Sequence, residues 1–160
     1  MEYLFCVDVQ PEFAKDRKGK DTYNRLLKFI QKVSPFYTVI APVYLNKTNP
    51  NMHRLVGWNE MKEISNLEFR YDYLYYHSGY SITEYPKFQP GDKVVIVGFD
   101  TDACVLSTCF DLFNLGVNFK ILVDGCWSSG GKYAHKAGLT VMQRQFKRAV
   151  DVTTKLEDLY

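Results

Sequence analysis

Three side chains in this sequence have the types that nucleophilic catalysis needs: a thiol at Cys104, a carboxylate at Asp8 and an imidazole at His77. The apolar run Val94-Val95-Ile96-Val97 passes through Gly98-Phe99-Asp100-Thr101-Asp102-Ala103 and delivers Cys104 into a helical pattern. A strand, a tight turn and a helix start place the sulfur in a first helical turn. Unpaired backbone N–H groups and the helix dipole there favour thiolate over thiol. The expected chemistry is attack by Cys104, with a neighbouring base managing its proton and a carboxylate orienting or shuttling it. Backbone N–H groups at Asp100 and Cys104 would hold a developing oxyanion.

Each of these residue types also has a plainer use. An aspartate at a strand end often caps a turn, and a histidine in a tyrosine-rich segment can be a partly exposed aromatic. Free cysteine is commonly a small buried hydrophobe, which is the reading of Cys6 and Cys109. Asp102 reads as a helix cap rather than a catalyst.

The elements that must carry these groups follow from the pattern of apolar residues. Residues 2–9 read as a strand buried on both faces and ended by Pro11. A helical pattern runs from Asp21 to Val33, and a second β-branched run spans Phe36 to Leu45. Asn46 to Asn51 is a loop by composition, and a short helix is expected over Gly57 to Ile64. Further strands are predicted at Tyr71–Tyr76, Lys93–Val97 and Phe119–Val123. Helices follow at Asp102–Leu115, closed by Gly116, and at Lys132–Lys147, with a short final strand at Ala149–Val152. Alternation of strands and helices implies a three-layer α/β/α sandwich around a mainly parallel sheet of about six strands, as one domain over residues 1–160. In such sheets ligands bind beyond the carboxyl ends of the strands. Asp8, His77 and Cys104 each stand at that rim, on three different strands.

Composition narrows the partners. The chain has 160 residues with a formal charge of +2, too little to argue for nucleic acid binding. The basic residues of the last helix (Lys132, Lys136, Arg144, Lys147, Arg148) read as a solvated face. The amino terminus is too short and wrongly charged for a signal peptide, and no apolar run is long enough for a membrane span. The four cysteines show neither CxxC nor zinc spacing, so free thiols in a reducing, cytoplasmic compartment are expected. Gly125-Cys126-Trp127-Ser128-Ser129-Gly130-Gly131-Lys132 follows a strand as a P-loop does, but its spacing fails. Ser128 to Gly131 reads instead as the turn and N-cap of the last helix. The aromatic segment Tyr71–Tyr76 leaves room for an interface between copies of the chain.

These residues also carry a family resemblance. Asp8-Val9-Gln10-Pro11-Glu12-Phe13 resembles the D-x-Q-x-x-F opening of the isochorismatase-like cysteine hydrolases, which include nicotinamidases. Gly98-Phe99-Asp100-Thr101-Asp102-Ala103-Cys104-Val105 is similar to that family's G-x-x-T-D-x-C-V nucleophile motif. His77-Ser78-Gly79-Tyr80-Ser81 occupies the place of its K-x-x-Y-S segment. Asp124, His135 and Gly138-Leu139 fall where such proteins have D…H…(A/G)L. The resemblance implies a Rossmann-like six-stranded sheet and a hydrolase that cleaves a small amide-like substrate through a Cys104 thioester. It also implies a cis peptide at Phe99–Asp100, turning the Asp100 and Cys104 N–H groups toward the oxyanion. Such proteins are often dimers or tetramers.

Two departures from the family pattern stand out. His77 replaces the family lysine, since Lys87 and Lys93 lack the expected position. It either pairs with Cys104 as a thiolate–imidazolium couple or marks a scaffold that has lost activity and serves in binding or interaction. The metal-binding D-x-H…H cluster of nicotinamidases is also missing. Asn46-Lys47-Thr48 stands there with only His53 nearby, so no metal and no other cofactor is expected. The segment Asn49 to Trp58 resembles the metal-free branch of the family. Trp58, with Phe13 and Tyr80, is the expected aromatic wall over a small-molecule substrate.

Overall fold

The run Glu2–Val7 forms the central strand β1, and its alternating side chains enter two separate cores. Leu4 and Cys6 join one apolar cluster, while Tyr3, Phe5 and Val7 join the other. This is the double burial of a parallel strand covered on both faces. The computed structural model describes residues 1–160. Its sheet is all-parallel with the order β3-β2-β1-β4-β5-β6, where β2 is Thr38–Tyr44, β3 Tyr73–His77, β4 Lys93–Phe99, β5 Asn118–Trp127 and β6 Val150–Asp151. Strand order reverses between β1 and β4, which opens a crevice at their carboxyl ends.

The first face is covered by α1 (Arg17–Val33). Leu26, Phe29 and Ile30 are fully buried against Leu4, Val39 and Ala41. Burying such a side chain is worth roughly 1.5–3 kcal/mol. The helix begins at Arg17, earlier than the apolar pattern predicts, because Asp16 caps it by accepting a hydrogen bond from the Gly19 N–H at 2.7 Å. The second face carries α3 (Cys104–Asn114) and α4 (Lys132–Phe146), packed through Val105, Leu112 and Met142. No helix links β3 to β4. Extended chain covers the sheet there instead, with Phe88 edge-on to Tyr3 at 5.3 Å and Tyr85 stacked on Phe5 at 6.2 Å.

The expected helix over Gly57–Ile64 does not form. A one-turn helix, α2 (Asn51–Arg54), lies just before it, overlapping the end of the predicted loop. Gly57 and Met61 both adopt positive φ, at 75° and 63°, which breaks any helix between them. The Trp58 N–H then bonds the Met52 carbonyl at 2.9 Å and folds the segment back over the sheet rim. Near the sheet centre Gly98 has φ 128°, and a Cβ there would lie 1.9 Å from the Val7 carbonyl oxygen. Only glycine permits that approach, and the pairing of β4 with β5 shifts register at the same place. No helix is long and apolar enough to cross a membrane.

Candidate active site

Asp8, His77 and Cys104 meet at the carboxyl rim of the sheet, their ligand-type atoms all within 4.8 Å of one another. Asp8 follows β1 with φ 46°, a left-handed conformation that aspartate tolerates better than most residues. Its N–H bonds the Pro42 carbonyl at 3.0 Å. His77 is the last residue of β3, in register with Tyr44 of β2. Cys104 is the first residue of α3. All three are buried.

The hydrogen-bond partners of the imidazole favour its charged form. His77 Nε2 lies 2.6 Å from an Asp8 carboxylate oxygen, and Nδ1 lies 2.8 Å from the Gly79 carbonyl oxygen. Both ring nitrogens therefore face acceptors, which suits the doubly protonated imidazolium. Burial on its own lowers the His77 pKa. The Asp8 charge, the Asp8 hydrogen bond and the Gly79 carbonyl outweigh it and hold the group above the usual 6.5.

This geometry corrects two expectations. His77 pairs with Asp8, and neither ring nitrogen hydrogen-bonds the Cys104 sulfur, so no thiolate–imidazolium couple is present. Burial, followed by the neighbouring Asp8, pushes the Cys104 thiol well above its ordinary range. The position of Cys104 at the helix start does not offset this effect. Asp8 Oδ2 is buried with no hydrogen-bond partner in the protein. The carboxylate thus has one oxygen held by His77 and the other free to take a proton.

Gln10 braces this arrangement. Its side-chain amide donates to the Tyr44 carbonyl at 3.0 Å and accepts from the Tyr44 N–H at 2.9 Å, locking the turn after β1 onto β2. The Phe99–Asp100 peptide is cis, as the motif resemblance implies. The Asp100 carboxylate accepts hydrogen bonds from the Ser129 N–H at 2.7 Å and the Ser129 hydroxyl at 2.5 Å. Burial, only partly offset by these bonds, pushes its pKa up to about 6. Asp102 does not cap α3, whose cap position is Ala103 with no side-chain bond. Asp102 instead accepts from the Ser128 hydroxyl at 2.6 Å. Residues 128–131 do turn, through the Gly131 N–H to Ser128 carbonyl bond at 3.0 Å. The cap of α4 is Gly131, without a side-chain contribution. His135 of α4 lies 2.7 Å from the Thr101 hydroxyl, and Gly138 lets α4 approach the same turn. A Cβ at Gly138 would stand 2.7 Å from the Thr101 carbonyl oxygen.

A pocket of about 400 Å³ opens over the sulfur, lined by Phe13, Tyr44, Trp58, Tyr80, Asp100 and Asp102 among others. The three expected wall residues Phe13, Trp58 and Tyr80 are all present. Tyr44 stacks on Trp58 at 5.2 Å and stands edge-on to His77 at 5.6 Å. A cavity of about 430 Å³ elsewhere is lined by Glu2, Lys93 and Asn118 at the opposite, amino ends of the strands, away from the reactive groups. The residues after β2 do not make a metal cluster: the Asn46 amide is bonded to Asn49, and His53 is exposed on α2. The residues that sequence reasoning missed are Gln10, Tyr44 and the Ser128–Ser129 pair. Tyr44 stood at a strand end on the same rim as Asp8 and His77, which was the available signal.

The fold is an all-parallel α/β sheet that gathers a cysteine, a carboxylate and an imidazole at the carboxyl rim of its strands. Residues 77–155 match the isochorismatase domain family. No curated protein shows significant sequence similarity. Among solved structures, an isochorismatase-like hydrolase from Alkaliphilus metalliredigens superposes with a TM-score of 0.76 at 16% identity, covering 99% of this chain and 96% of that one. A nicotinamidase from Bacillus subtilis gives 0.70 at 16% identity, over 93% and 98%. A ribonuclease from Caenorhabditis elegans gives 0.62 at 19% identity, over 99% and 78%. At these identities the likeness is one of fold, and the fold carries more than one activity. The isochorismatase match thus takes in the carboxyl-terminal part of the chain, and the chain as a whole shares the fold of isochorismatase-like hydrolases.

Proposed function

We propose that the protein is a metal-independent cysteine hydrolase that cleaves a small amide-like substrate through a thioester on Cys104. The observation that carries this reading is the convergence of Cys104, Asp8 and His77 within 4.8 Å at the mouth of the aromatic pocket. Asp8 Oδ2 takes the thiol proton as Sγ bonds to the substrate carbonyl carbon. The N–H groups of Asp100 and Cys104 stabilise the oxyanion; that of Cys104 lies in the first turn of α3, where it has no intrahelical partner. Collapse breaks the C–N bond, and the nitrogen leaves with the proton held on Asp8. Water then attacks the thioester, again giving a proton to Asp8, and the released thiolate recovers that proton. His77 serves as a fixed positive charge hydrogen-bonded to Asp8 throughout these transfers. It fills the electrostatic role of the family lysine with a shorter, planar cation.

Metal independence is supported by the donor chemistry. Both His77 nitrogens are already committed, and a protonated imidazole has no lone pair for a metal. The test is release of ammonia or amine from a panel of small amides, nicotinamide included, with intact-protein mass spectrometry of rapidly quenched mixtures. An acyl adduct on Cys104 that is absent from Cys104→Ala supports the mechanism. Turnover that survives in Cys104→Ala overturns it. Activity lost on exhaustive chelation and restored by a divalent cation would overturn metal independence alone.

A further inference from the structure

The pocket over Cys104 has two chemically different sides. Its aromatic side chains come from the segments after β1 and β3 and from β2 and the segment after it, and its carboxylates, Asp100 and Asp102, come from the loop after β4. Both acids are held from the loop after β5, Asp100 by Ser129 and Asp102 by Ser128, and Ser128 is itself steadied by the Gly130 N–H at 3.1 Å. Neither carboxylate has a Lys, Arg or His nitrogen within 4.0 Å. The charge of two immobilised carboxylates is therefore left unbalanced at a concave site. The one cationic side chain on the lining is Lys15, whose Nζ lies 5.9 Å from the Trp58 ring rather than against either acid.

A second observation points independently to a ligand. The Tyr44 hydroxyl and the Trp58 indole N–H, both on the pocket lining, are buried polar groups with no hydrogen-bond partner, and Tyr44 as a whole is 1% exposed. Leaving such groups unpaired is costly, and an incoming acceptor would relieve it. The aromatic faces beside them also favour a cation.

We propose that the substrate of this site is a small amide whose acyl or amine portion carries a positive charge, lodged between the Asp100–Asp102 pair and the aromatic side chains while an acceptor atom meets Tyr44 and Trp58. This rests on the hydrolase reading above and adds to it the charge class of the substrate. Attraction of a cation by a partly buried carboxylate, Asp100, and an exposed one, Asp102, should favour it over an anion by about tenfold.

The test is chosen so that the two readings fail separately. Cys104 is labelled with three methanethiosulfonates of similar size bearing trimethylammonium, no charge or sulfonate, and the rate at Cys104 is read by peptide mass spectrometry. Faster cationic labelling, by about tenfold over the anionic reagent, with the ratio falling several-fold in Asp100→Asn and in Asp102→Asn, supports the proposal. Lys15→Ala, an exposed change that leaves folding intact, should raise the same ratio. Equal rates, or faster labelling by the sulfonate reagent, overturn the cationic substrate and leave the nucleophile standing. A Cys104 that no reagent modifies overturns the nucleophile and this inference with it. The matched substrate comparison is betaine amide against its neutral isostere 3,3-dimethylbutanamide. A higher kcat/KM for the cation in wild type supports the proposal, and preference for the neutral amide overturns it.

Discussion

At the scale of single residues, the site is organised by which oxygen of Asp8 is occupied. One is held by His77 and the other is free beside Cys104. Asp8→Asn and Cys104→Ser should each lower kcat by about 10³-fold or more in a steady-state amide assay, because each removes a participant rather than a neighbour. His77→Gln keeps a donor but loses the charge and should also fail, whereas His77→Lys should recover activity. Equal loss in both would show that ring shape, not charge, matters. The pKa of His77 is raised by Asp8, so the imidazolium and the stability it supports are complete below about pH 6.5 and disappear as pH climbs through the raised value. Activity should accordingly show an alkaline limb that His77→Lys displaces upward. Asp100 behaves in the same direction for a different reason: burial lifts it to about 6, so ionisation costs stability as pH rises from about 4 through 6. Asp100→Asn should stabilise the fold by about 1–3 kcal/mol at pH 8 and by almost nothing at pH 4, measured by urea unfolding.

Elements position these groups through close backbone approaches. The Gly98 contact with Val7 joins β4 to β1 beneath the nucleophile turn, and the Gly138 contact with Thr101 seats α4 upon it. Gly138→Ala needs no unusual φ, so its effect isolates the contact. It should push α4 off the turn and lower kcat with a modest loss in thermal stability, about 1–3 kcal/mol. An unchanged kcat would mean that the turn holds its shape without α4. The pairing of Tyr44 with His77 across β2 and β3, locked to the first turn by Gln10, explains why the glutamine belongs beside Asp8. Its amide replaces a missing stretch of backbone pairing between that turn and the neighbouring strand.

Across the whole molecule, one arginine ties the ends of the chain together. Arg25 of α1 bonds Asp124 of β5 and Glu157 of the terminal 3₁₀ turn, and Asp124 also accepts from the Leu156 N–H at 3.0 Å. Asp124, which the sequence resemblance marked beside the catalytic motifs, therefore fastens the terminal segment rather than the reaction centre. Arg25→Ala leaves a half-buried carboxylate without its main partner and should cost about 1–3 kcal/mol in unfolding free energy, with amide hydrolysis per folded molecule unchanged.

The parallel α/β architecture and the rim holding Asp8, His77 and Cys104 were legible in the sequence, because apolar runs and helix signals are local and strand ends follow from them. The helix expected over Gly57–Ile64 was not legible, since its fate depends on two left-handed residues and a backbone bond to Met52. The same limit applies at the site. Sequence alone nominated the thiol, the acid and the imidazole, as residue types at the ends of strands. Only the tertiary structure decided that the imidazole faces the acid rather than the thiol, that Tyr44 and Trp58 of the pocket wall keep unpaired polar atoms, and that two carboxylates share the pocket with no cation paired to either. Those facts depend on distances between segments far apart in the chain, and the apolar pattern that builds the strands carries no record of them.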